Sequence, residues 1–226
     1  MNKSELIQKI HYNKIATKYE CYYFDKFSQK YREKFINNNM TEGINLSNLD
    51  ILEAMCGSGQ ITQHLFLKGA RVTGLDISSE MIKTFKKKWP EYGDINASIL
   101  NSKIKDSSFD CVVVVGGFHH LHPNLDEAVD EIYRILKPGG YFCFMEPHTD
   151  SLPDLIRQLW YRFDNLFEKN ERAINVDNLK FKNSHRFEFI KTKYLGNIAY
   201  LLVMNALVFR IPLFLRPFYA PIAFGL

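Results

Sequence analysis

Two carboxylates and a pair of histidines are the side chains of this sequence whose types and spacing suit chemistry. Glu53 closes the apolar run Ile51-Leu52 and opens a small loop, Glu53-Ala-Met-Cys-Gly-Ser-Gly59. Asp76 closes a second run, Arg71–Leu75, at about the interval where an α/β sheet sets a carboxylate against ribose hydroxyls. Glycines in such a loop let the backbone approach a ligand that a Cβ would hold off. A dinucleotide site offers glycines and amides to an anionic pyrophosphate. A carboxylate at Glu53 repels that anion and attracts an amino or sulfonium group. No Lys follows Gly59, as a phosphate-binding loop requires, and no third glycine stands near Thr62 to complete a dinucleotide fingerprint. The pattern describes a site for a cationic nucleoside without phosphates. His119 and His120 follow the run that ends at Val115. A neutral imidazole there suits removal of a hydroxyl proton near neutral pH, and the same pair equally suits packing or hydrogen bonding at a helix start. Glu146 and His148 follow the run that ends at Met145 and are candidates to touch substrate, whereas His122 before Pro123 reads as a turn residue.

A sheet must position these groups. Apolar runs at 49–54, 71–75, 111–115 and 141–145 alternate with helical patterns at 60–68, 79–88 and 125–136. Such alternation specifies a Rossmann-like, doubly wound, mostly parallel α/β sheet with helices on both faces. Val112–Val115 is apolar on both faces, as a central parallel strand should be. Ser78 or Ser79 can cap the helix that carries Met81 and Ile82, and Pro138-Gly139-Gly140 should end the 125–136 helix. Lys83 and Lys86–Lys88 read as a solvated face, since no aromatic stacking platform is interleaved with them; no nucleic-acid partner is expected.

The flanks differ in character. Residues 4–38 read as two helices with an aromatic face of Tyr12, Tyr19, Tyr22, Tyr23, Phe24, Phe27 and Tyr31, followed by a loop at Asn37–Asn39. Residues 1–45 then form a helical cap, 46–150 the core, and 151–226 a helical, apolar appendage completing a single domain. Within the appendage, 150–175 is amphipathic and carries Trp160, Tyr161, Phe163 and Phe167, while Phe187, Phe189 and Ile190 suggest one more strand. Tyr194–Phe209 holds no charge over 16 residues, short of the roughly 20 a spanning helix needs, and contains Asn197 and Asn205. It suits a buried element, a substrate lid, a homodimer surface or a peripheral membrane contact. The sequence stops at Phe224-Gly225-Leu226 without the usual last strand, which suggests that the native protein continues.

Composition sets the outer bounds. A chain of 226 residues with 46% hydrophobic content can bury a core, and a net charge of +4 permits an anionic partner without demanding one. The cysteines show no Cys-x-x-Cys pair, so no metal is expected; Cys56, Cys111 and Cys143 read as apolar fillers of buried strands. The start lacks the apolar core of a signal peptide, and a cytoplasmic location is expected.

From about Tyr12 to Pro147 the sequence resembles a class I S-adenosylmethionine-dependent methyltransferase. The resemblance rests on Glu53–Gly59, on Gly74-Leu-Asp-Ile-Ser78, on Ser108–Val115, on Gly-Phe-His-His-Leu121 and on Leu136-Lys-Pro-Gly-Gly140, in that order. It implies S-adenosylmethionine as cofactor. Ala54, Met55, Gly57 and Gly59 would wrap its methionine part, with Glu53 holding the loop or meeting the amino group. Asp76 would take both ribose hydroxyls, Ile77 and Ile99 would sandwich the adenine beside Met81, and Ser98 would touch its edge. Val114 and Gly116 would lie under the sulfonium, and Tyr12 and Tyr19 would close over it. Two positions depart from the family: Met55 stands where a glycine is usual, and Ser98 where an acid is usual. The resemblance implies methyl transfer to a small molecule, with oxygen favoured, and the aromatic amino-terminal helices and the apolar tail suggest a largely hydrophobic or lipid-linked acceptor. A methyltransferase acting on protein or RNA, and a non-catalytic S-adenosylmethionine-binding partner, are the rival readings. A nicotinamide dehydrogenase is disfavoured by Glu53 and the missing glycine.

Overall fold

The computed structural model describes residues 2–161, 172–196, 199–204, 206–207 and 209–225. Among them, β1 (Asp50–Ala54), β2 (Arg71–Asp76), β3 (Gly93–Asn96), β4 (Phe109–Val115) and β5 (Leu136–Met145) form one sheet in the order β3-β2-β1-β4-β5. Every pairing is parallel. The chain leaves β1 toward β3, then returns to the other side of β1 through β4. The order therefore reverses between β1 and β4, where sheets of this kind bind ligands beyond the strands' carboxyl ends. Ala54 pairs with both Leu75 and Val114, and Val115 pairs with Met145, so four strand ends stand side by side. Ile51, Leu52, Ala54 and Val112–Val114 are fully buried, the continuous apolar filling a central parallel strand requires.

Helix α1 (Lys3–Tyr23) precedes the sheet, and α2 (Thr62–Leu67), α3 (Ser79–Lys88) and α4 (Leu125–Ile135) connect its strands. Ser78 caps α3 by accepting the Met81 amide at 3.2 Å, and Lys86–Lys88 sit in its last turn, where they complement the helix dipole. The buried face of α4 is Ala128, Val129, Ile132 and Ile135, an amphipathic stripe of helical period. This helix stops at Ile135, before Pro138-Gly139-Gly140. Those three residues lie inside β5, at an irregularity where the register passes from Phe109↔Leu136 to Cys111↔Tyr141. A left-handed Gly139, with φ of 76°, accommodates the extra residues.

The described residues divide into two compact units, 1–17 with 40–146 and 18–39 with 147–226. The amino-terminal segment expected to be one cap is thus shared between them. Its buried face also differs from the aromatic one expected. In α1 the buried side chains are the polar Glu5 and Gln8, and of the seven expected aromatics Tyr31 alone is buried.

In the second unit Asp25 caps the helix Lys26–Tyr31 by accepting the Phe27 amide at 2.9 Å, and a wider π turn, Arg32–Asn37, follows. Arg216 is buried; it pairs with Asp25 and donates to the Ser28 hydroxyl at 3.0 Å and the Tyr22 carbonyl at 3.1 Å. The strand expected at Phe187–Ile190 does not form. The Phe187 amide instead bonds back to the Asn183 carbonyl at 2.9 Å, prolonging the turn after the helix Val176–Asn183, and Ile190 is exposed. Of the helical region expected over 150–175, a helix forms at Leu152–Tyr161, and 162–171, with Phe163 and Phe167, lie outside the described residues, as do Asn197 and Asn205. Among the described residues no helix is long and apolar enough to cross a membrane.

Candidate active site

The loop after β1 is built by backbone conformations that few residues adopt. Gly59 has φ of 99°, and a Cβ there would sit 2.6 Å from Trp89 Nε1 and 2.7 Å from Thr62 Oγ1, so glycine is required on both counts. Glu53 is buried. Its carboxylate accepts the Ile61 amide at 3.0 Å and the Thr62 hydroxyl, which satisfies groups at the start of α2. Of the two roles offered for Glu53, this geometry shows the holding of the loop.

Asp76 ties that loop to the end of β2. One carboxylate oxygen accepts the Gly57 amide and the other the Ser78 amide, both at 2.8 Å. Loss of solvent pushes this carboxyl above the usual aspartate range, and the Ser78 and Gly57 amides pull against that rise. Asn96, at the end of β3, donates to the Asp76 and Ile77 carbonyls at 2.9 and 3.1 Å. Met81 and Ile99 are buried close to these turns in sequence, with Ile77 and Ser98 half-buried.

Met55 occupies the left-handed region, with φ of 56°, where a side chain stores strain. Its side chain covers Gly117: a Cβ on Gly117 would meet Met55 Sδ at 2.8 Å and Val114 Cγ1 at 3.1 Å. Gly117→Ala should therefore cost about 1–3 kcal/mol by overpacking. In a Met55→Gly background the same change should cost less than about half as much, a coupling that thermal melts of the four-variant cycle would read. Additive melts would remove the Met55–Gly117 contact from this account.

At the ends of β4 and β5 the histidine pair is fixed by partners that its spacing did not announce. Glu146 accepts the Gly117 and Phe118 amides at 2.7 Å each, the His119 amide at 3.3 Å, and His119 Nδ1 at 2.8 Å. Its side chain is fully covered, and His119 keeps 14% exposure. Glu146 is thus the orienting carboxylate of His119. A proton held on Nδ1 leaves Nε2 as the acceptor nitrogen of the ring. His120 is buried, with its Nε2 2.9 Å from the Tyr12 hydroxyl. Both rings lie against each other with centroids 3.9 Å apart. Tyr12 therefore reaches the turn after β4. Tyr19 and His148 belong to the second unit, where Tyr19 stacks on Tyr23 at 4.3 Å and His148 pairs with Ile174 and packs its ring 4.8 Å from Tyr194.

Helix α1 adds side chains that the sequence reading passed over. Asn13 Oδ1 accepts the Ser78 hydroxyl at 2.7 Å, and the Ser98 hydroxyl donates to Glu5. The available signal was the spacing of Glu5, Gln8 and Tyr12 by three and four residues, which places them on one face of a helix. Among the described residues no cluster of His, Cys, Asp and Glu could hold a metal ion.

The sheet order, the β1 loop and the β2 carboxylate meet in one further finding: residues 52–144 match the Methyltransferase domain family. The match supports a class I S-adenosylmethionine-dependent methyltransferase domain over these residues. It is 33% identical over 114 residues to malonyl-[acyl-carrier protein] O-methyltransferase of Enterobacter lignolyticus, covering 50% of this chain and 45% of that protein. It is 31% identical over 144 residues to phthiotriol/phenolphthiotriol dimycocerosates methyltransferase of Mycobacterium tuberculosis, covering 61% and 52%. The chain thus spans about half the length of the curated relatives it matches. The PH0226 protein of Pyrococcus horikoshii has the same fold, with a TM-score of 0.61 at 19% identity over 80% of this chain and 94% of that one.

S-adenosylmethionine is the cofactor of this class, and the residues present fit it. Gly116 closes β4 with φ of 65°, and a Cβ built on it meets nothing within 4 Å, so the strand end borders open space. Asp76, Ile99 and Met81 line the turns where a nucleoside without phosphates would lie.

Proposed function

We propose that this protein methylates a small, hydrophobic or lipid-linked acceptor, with oxygen as the accepting atom. The observation that carries the reading is the Glu146–His119 pair at the end of β4. When bound, S-adenosylmethionine supplies a methyl group already activated by a neutral thioether leaving group. The chain's own task is then to align an acceptor and to take its proton. Alignment of this kind accounts for roughly 7–11 kcal/mol of barrier reduction. His119 Nε2 accepts the hydroxyl proton as the oxygen–carbon bond forms, and Glu146 stabilises the resulting imidazolium through Nδ1–H. Glu53 and Asp76 hold the loop that wraps the cofactor, and Tyr12 braces His120 beside the base.

Two observations support the acceptor class. The curated relatives named above act on an acyl-carrier-protein-linked malonyl group and on phthiotriol dimycocerosates. In the second unit Phe214, Phe218 and Ile222 stand exposed, at 72, 76 and 67%, along the stretch Leu213–Ala223. An apolar surface of this kind suits a hydrophobic acceptor or the lipid that carries it.

The test is calorimetric titration with S-adenosylhomocysteine, followed by a product assay. The acceptor panel contains acyl-carrier-protein-linked acids, hydroxylated lipids, quinols, short peptides and RNA. Formation of S-adenosylhomocysteine with a hydroxyl acceptor is expected; a carboxylate acceptor, already ionised, would keep the transfer to oxygen and remove His119 as its base. Transfer to peptide or RNA alone would end the small-acceptor reading.

A further inference from the structure

We infer that α1 supplies the polar edge that β3 lacks: Glu5, seconded by Gln8, reads the amino side of the cofactor's adenine ring. The inference rests on the cofactor reading given above. Beyond β3 the chain offers Ser98, a neutral hydroxyl, and a carboxylate reaches that hydroxyl from far away in sequence. Ser98 Oγ donates to Glu5 Oε1 and accepts the Leu100 amide at 3.0 Å. The Ser98 hydroxyl has thereby committed its proton to Glu5, and the carboxylate is fixed at the end of the β3 turn. Glu5 is 9% exposed, with its other oxygen accepting the Asn2 amide, so both ends of the carboxylate are held.

Gln8 provides an independent observation. It is 7% exposed, and neither its Nε2 nor its Oε1 has a hydrogen-bond partner. A buried carboxamide with no partner is costly, and the polar edge of a bound ligand would satisfy it. Its place on α1 says which ligand. Gln8 lies three residues after Glu5 and four before Tyr12, on the same helical face. Glu5 is anchored on Ser98 beyond β3, Tyr12 on His120 beyond β4, and Asn13 on Ser78 beyond β2. The stripe therefore crosses the carboxyl ends of three strands, and Gln8 sits between its anchors. Adenine presents an amino donor beside ring-nitrogen acceptors. A carboxylate accepts from the amino group, and a carboxamide can both accept and donate along the same edge. A hypoxanthine base, with a carbonyl in place of the amino group, would set its oxygen against the Glu5 carboxylate.

Calorimetry on the full chain tests this with two probes, S-adenosylhomocysteine and S-inosylhomocysteine. The wild-type chain should prefer the adenine compound by about tenfold or more, the scale of one hydrogen bond to a charged group. Glu5→Gln should collapse that preference toward unity, because its amide can face either base. Gln8→Met should weaken S-adenosylhomocysteine about tenfold while the ligand-free melting temperature holds or rises, since an unsatisfied buried amide has been removed. A merely structural Gln8 would lower the melting temperature and leave affinity alone, which overturns its part. Equal wild-type affinity for the two nucleosides overturns the inference without needing any variant. Wild-type binding of neither compound overturns the cofactor reading itself, and this inference with it.

Discussion

Replacing His119 with glutamine should lower turnover on a hydroxyl acceptor by about 100- to 10,000-fold, the usual worth of a positioned base, with cofactor affinity within about threefold of wild type. The acid limb of the pH–rate profile, which a neutral imidazole imposes, should vanish with it. Glu146→Gln should cost a similar factor by a different route. The Glu146 carboxylate faces donors alone: three backbone amides and the Nδ1 of His119. A glutamine must turn its NH2 toward one side of that set. Turned toward the amides, it opposes the turn at Phe118–His120. Turned toward His119, it draws the ring into the tautomer whose proton lies on Nε2, and that nitrogen can no longer accept a proton. The loss falls on kcat in both variants. Full turnover in Glu146→Gln, with the acid limb intact, would remove the pair from proton transfer and return His119 to a packing role.

Much of this site could be read from residue order because the groups that build it follow local rules. The run before Glu53, the glycines at 57 and 59, and the apolar Val112–Val115 each report a strand or a loop within a few residues of themselves. Asp76 was legible for the same reason, as the last residue of its strand. What stayed hidden depends on distant partners. Glu146 stands just past a strand end, a place suited to touching substrate, and nothing local says that its carboxylate turns back on the 117–119 amides of a different strand end. Glu5 and Gln8 were hidden by their polarity. A helix that buries an acid and an amide shows no apolar stripe, so its tyrosines dominated the reading while most of them remain half-exposed. Met55 shows a third kind of silence. Its left-handed backbone is set by the turn between β1 and α2, and the space for its side chain by the absence of a Cβ at Gly117. The expected strand at 187–190 failed on a local competitor, the carbonyl of Asn183, which takes the Phe187 amide.

Asp76→Asn should weaken S-adenosylhomocysteine by about 10- to 150-fold, the range spanned by hydrogen bonds to a charged group. The carboxylate holds the Gly57 amide on one oxygen and the Ser78 amide on the other. An asparagine keeps one of these and sets its NH2 against the second donor. The β1 loop or the α3 cap loses its tether, and a ribose bound at this carboxylate would lose a charged acceptor in the same change. The pH dependence separates this role from simple loop support. Burial raises the folded-state pKa of Asp76 above its unfolded value, so the folded chain binds that proton more tightly. The stability of the ligand-free chain should therefore decline as pH climbs from the ordinary aspartate range through the raised value, because ionisation is costlier in the fold. Affinity for the nucleoside should move the other way over the same window, since the ionised carboxylate is the stronger acceptor for hydroxyls. Opposite slopes of melting temperature and affinity, both flattened in Asp76→Asn, are the expected signature. Parallel slopes, or slopes unchanged by the substitution, would show that Asp76 shapes the loop without meeting the ribose.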